Sequence, residues 1–99
     1  MSYALEESVI REVEKSFSPE HVSDVCVKLK ETALPMENSA PPPRVHIAVI
    51  WLSKGDLEKF NYEIEGAACD WRDTLMAADL GNENWQDILK NKGIDCSGW

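Results

Sequence analysis

The chain has no long apolar run: its longest, Ile47 to Leu52, is far short of the roughly 20 residues a membrane-spanning helix needs. It has no basic stripe either. Residues 1–40 carry eight acids against four bases and residues 41–99 carry ten against six, for a net charge of −8. Phosphate backbones are held by clustered Lys and Arg, so this even acidity argues against direct nucleic-acid binding. Cysteine is sparse: Cys26, Cys69 and Cys96 are odd in number, widely spaced and without a CxxC pair. That pattern predicts reduced thiols rather than a disulfide framework or a zinc knuckle. Glycine-rich phosphate loops, GxSxG and HExxH are also missing. The amino-terminal run MSYALEESVIREVEK lacks the basic flank and apolar stretch of a secretory signal, which predicts a cytoplasmic protein.

What is present is an ordinary globular balance, 43% hydrophobic and 28% charged in 99 residues, enough for one core. Leu5, Val9, Ile10, Val13 and Phe17 recur at helical spacing and predict a first helix over about 3–16. Ser18 in the N-cap position, Pro19 behind it and Glu20 in the first turn predict a second helix from 19, with Val22, Val25, Cys26 and Leu29 on its inner stripe and an end at Leu34. So short a connection implies an antiparallel helical hairpin over 1–34. The run PMENSAPPP places four prolines in residues 35–43, which reads as a linker.

Arg44 to Ser53, RVHIAVIWLS, is the ambiguous segment. Val45, Ile47, Val49 and Trp51 alternate as in a strand, while Val45, Ala48, Val49 and Leu52 form a helical stripe. A strand needs a partner, and the chain offers no second β-rich run. We therefore expect a helix over 44–52, apolar nearly all round and central to the domain; a strand would instead require pairing with a second copy. Gly55 closes this helix, Asp56 caps the next, Asp70 caps another, and Asn82 or Asn84 caps the last, which Gly93 and Ile94 end in a Schellman motif. The residues 44–94 form a helical subdomain and 95–99 a tail. The fold class is all-α, a single small domain of five or six short helices.

The run RVHIAVIWLSKGDLEKF followed by DWRDTLMAADL resembles a group of small bacterial proteins of unknown function that share an apolar helix, a GDLEKL-like turn and a DWRD-like turn. The likeness covers the C-terminal half and rests on capping residues. It implies a bacterial cytosolic protein with a helical 44–52 segment, and no activity.

Few residues point to chemistry. Asp70, Trp71, Arg72 and Asp73 gather two carboxylates, a guanidinium and an indole. The simpler reading is that Asp70 caps, Trp71 packs in the core and Arg72 pairs with Glu65 or Asp73. His21 and His46 with Cys26 and Cys69 show no ligand spacing of the HxxxH or ExxH kind, so no metal or cofactor is expected and no catalytic residue stands out. Four tryptophans is a high usage; Trp71 and Trp85 fall on core stripes, and Trp51 and Trp99 do not. The expectation is a non-catalytic protein-protein interaction module, acting on a partner or on itself as a homodimer, with Trp51, Trp99, Asp70 and Arg72 as contact residues. The alternatives are a small-ligand or enzymatic site on the Asp70–Asp73 turn with Glu63 or Glu65, and an acidic inhibitor or antitoxin-like protein for a basic partner.

Overall fold

The computed structural model describes residues 5–32 and 43–96, which form five helices: α1 (Glu7–Ser16), α2 (Pro19–Glu31), α3 (Pro43–Ser53), α4 (Leu57–Ala77) and α5 (Trp85–Asn91). No strand occurs among the described residues. The expected start of the first helix at residue 3 and all of the proline-rich linker but Pro43 lie outside them; Pro43 is the first residue of α3.

The ambiguous segment is helical. Val45 to Ile50 are buried without interruption, and so is Ser53, whose hydroxyl donates to the Val49 carbonyl at 2.6 Å. Six consecutive buried residues point to all sides of a helix, so α3 is the centre of the domain. It packs chiefly on α4 and then on α1. One core joins Val9 and Val13 of α1, Val25 and Leu29 of α2, the buried face of α3, Phe60, Ile64 and Leu75 of α4, and Leu89 of α5. The N-terminal hairpin therefore shares its core with the rest of the chain. No helix among the described residues is long and apolar enough to cross a membrane.

Helix ends follow local chemistry, with some departures from expectation. Asp56 caps α4 as expected, its Oδ1 accepting from the amides of Glu58 at 2.8 Å and Lys59 at 3.2 Å. The break expected at Asp70 is present, and α4 consists of two helical segments that meet there in a kink. The backbone there is non-helical (φ −152°, ψ 86°), and Asp70 Oδ1 accepts from the amides of Arg72 at 3.2 Å and Asp73 at 3.4 Å. The carboxylate takes up amides that the kink deprives of carbonyl partners, so the helix resumes at once. Ser18 and Asn84 occupy N-cap positions without side-chain cap bonds. Helix α2 stops at Glu31, short of Leu34, because Thr32 turns extended and both its amide and hydroxyl take the Lys28 carbonyl, at 3.1 and 2.8 Å.

Two Schellman motifs complete the frame. Gly93 (φ 78°) ends α5 as expected, with the Ile94 amide donating to the Leu89 carbonyl at 3.0 Å. The end of α4 has the same form, the Leu80 amide reaching the Leu75 carbonyl at 2.9 Å, but the left-handed residue is Asp79 (φ 61°) rather than a glycine. Leu80 is thereby turned inward and fully buried.

Candidate interaction site

The kink at Asp70 and the start of α3 bring two arginines to one place. Arg44 is the second residue of α3, and Arg72 lies two residues past the kink. With Trp71, Leu75, Met76 and Gly81 they line a surface depression of about 340 Å³. The Arg44 guanidinium carbon lies 4.6 Å from the ring centroid of Trp85, at the head of α5, and that of Arg72 lies 5.2 Å from the ring centroid of Trp71. Both distances are within the range of cation–π attraction.

Neither guanidinium has a carboxylate partner among the described residues, whereas Arg11, the remaining arginine of the chain, pairs with Glu7 at 2.6 Å. The expected pairing of Arg72 with Glu65 or Asp73 is not made. Arg72 lies over the indole beside it instead. Partial burial lowers the pKa of Arg44, but a guanidinium stays charged at any physiological pH. Trp71 and Trp85 are half-buried rather than fully in the core, and Met76 is 56% exposed. The face thus combines Trp, Arg and Met, the residue types enriched at protein interfaces.

The other expected contact residues are dispersed. Trp51 is half-buried and borders a separate depression of about 500 Å³ with Lys15, Lys54, Lys92 and Glu12. Asp70 is exposed and its Oδ1 is occupied by backbone amides. Trp99 lies outside the described residues. Glu63, Glu65, Asp70 and Asp73 do come together, around an open depression of about 410 Å³ beside the exposed Tyr62. Among the described residues no group of three or more His, Cys, Asp and Glu side chains is placed to hold a metal ion. His46 is buried in α3 and its Nε2 has no hydrogen-bond partner among the described residues; burial pushes its imidazole down to about 4.

Sequence reasoning missed Arg44, Trp85 and Met76. One clue existed at Arg44: a cation just behind prolines that start a helix sits at the positive end of the helix dipole, where it does not serve helix stability. No family model, curated protein or solved structure matches the chain.

Proposed function

We propose that this chain is a non-catalytic protein-interaction module whose binding face is formed by Arg44, Trp71, Arg72, Met76 and Trp85. The observation that carries this reading is the pair of guanidinium groups, each over an indole and without a carboxylate partner among the described residues, on one depression. Hot spots at protein interfaces favour Trp and Arg because each combines apolar area with directional polar contact. A cytoplasmic setting fits the three unpaired thiols, Cys26, Cys69 and Cys96. The acidic depression by Asp70 supports an enzymatic reading less well, since it is open to water and Asp70 serves its own helix.

The test is a photo-crosslinking amino acid placed at Met76 in cells, with the adduct identified by mass spectrometry. The reading expects a recurring protein adduct that weakens when Arg72 is replaced by Gln. A uniform background of adducts, unchanged by that substitution, would count against it.

A further inference from the structure

Resting on that reading, we infer that the partner segment taken up by this face is acidic, with Asp or Glu carboxylates bound by Arg44 and Arg72 and an apolar side chain between them on Trp71 and Met76.

The charge arrangement supports this. Cations in the depression by Trp51 have a structural role: Lys15 lies in the last turn of α1, Lys54 follows α3 directly, and Lys92 is the C-cap of α5. Each stands at the negative end of a helix dipole, which accounts for its place. The two arginines stand the other way round. Arg44 is in the first turn of α3, which holds no acid, and Arg72 is in the first turn of the helical segment capped by Asp70. Both positions set a cation against a positive helix end. Helix stability does not explain them, and no carboxylate among the described residues pairs with them.

A guanidinium resting on an aromatic ring keeps its N–H donors at the edge, where a carboxylate is met by two parallel bonds. Neither side chain spends a donor on another described residue. The chain's net charge of −8 limits the class of anion further. A nucleic acid or an anionic bilayer brings an extended row of charge against a surface that is acidic elsewhere, and Asp70 and Asp73 flank Arg72. A short acidic segment needs only two cations at contact range, and beyond about 8 Å the general repulsion is screened at physiological salt.

The experiment is selection of a displayed random peptide library on the immobilised full chain, with the Arg44→Gln/Arg72→Gln chain and a blank support as counter-targets. Enriched peptides are expected to carry two or more Asp or Glu residues around an aliphatic or aromatic one. Their binding should weaken with added salt and fall by roughly tenfold or more on Arg72→Gln alone, an exposed position whose change leaves the fold intact. Enriched peptides without an acidic excess that still lose binding on the double substitution overturn the carboxylate inference and leave the interaction reading standing. No enrichment over the blank support overturns both. A concentration-dependent dimer that Arg72→Gln abolishes assigns the face to a second copy and also overturns the inference.

Discussion

Phe17 and Phe60 meet edge to face, with ring centroids 5.7 Å apart and planes at 81°. Phe17 ends α1 at the turn into α2, and Phe60 lies in the first turns of α4, so this contact fastens the N-terminal hairpin to the rest of the core. Truncating Phe60, only 1% exposed, removes both the ring contact and its buried area. Phe60→Ala is expected to cost about 3–5 kcal/mol, and Phe60→Leu under about 1.5 kcal/mol, in urea unfolding. A loss below about 1 kcal/mol for the alanine variant would show that the hairpin is held elsewhere.

Two glycines should respond in opposite directions to alanine. Gly55 adopts φ 78°, and a Cβ there would lie 2.6 Å from the Ser16 carbonyl oxygen. Gly55→Ala therefore combines left-handed strain of about 1–2 kcal/mol with a backbone clash, and should lower the melting temperature clearly. Gly66 lies inside α4, and a methyl group added there would meet nothing within 4 Å, so Gly66→Ala should stabilise by about 0.5–1 kcal/mol.

The two aspartates that shape the second half of α4 separate by the same measurement. Asp70→Ala removes the acceptor for the Arg72 and Asp73 amides and should cost about 1 kcal/mol. Asp79→Gly relieves a left-handed φ of 61° at a Schellman position and should gain about 0.5–1 kcal/mol. If Asp79→Gly destabilises instead, its side chain has a role beyond the turn.

Acid should weaken the fold through His46. Its imidazole is held at about 4 by burial, below the ordinary 6.5. Between those pH values the unfolded chain binds a proton that the native chain does not, so stability declines as the pH falls from 6.5 towards 4. The decline amounts to about 3 kcal/mol at most. His46→Leu fills a similar volume without a buried Nε2 that no described residue partners. The stability difference between the two proteins should grow as the pH approaches the depressed value, and a constant difference across that window would exclude His46 as the source.

Thiol labelling under native conditions should follow burial. Cys69 is exposed and should react first; Cys26 is half-buried, and burial, with Glu14 adding to it and Lys30 opposing, raises its pKa, so it should lag. Cys96 is buried and should react only on unfolding. Rapid modification of all three would contradict the packing of the C-terminal segment, where Ser8 donates to the Asp95 carbonyl at 3.1 Å.

Features that depend on a few neighbouring residues can be read from the chain alone. The all-α class, the start of α2 at Pro19, the caps at Asp56 and Asp70 and the stop at Gly93 are all legible, because the side chain and the backbone groups it satisfies lie within about four positions of each other. The end of α4 is less so, since Asp79 takes a left-handed conformation that the pattern assigns more readily to the glycine at 81. The helical state of α3 follows in sequence terms from the lack of a partner strand and from the prolines before it; its apolar residues cover every side, so periodicity is lost, and burial by the surrounding helices is what the structure adds.

The candidate site, by contrast, is a product of packing. Arg72 and Trp71 are neighbours in sequence, but nothing local indicates that Arg44 from α3 joins them or that Trp85 from α5 lies beneath it. Capping is settled within one turn of chain, whereas a shared depression is settled by how α3 and α4 pack around a common core.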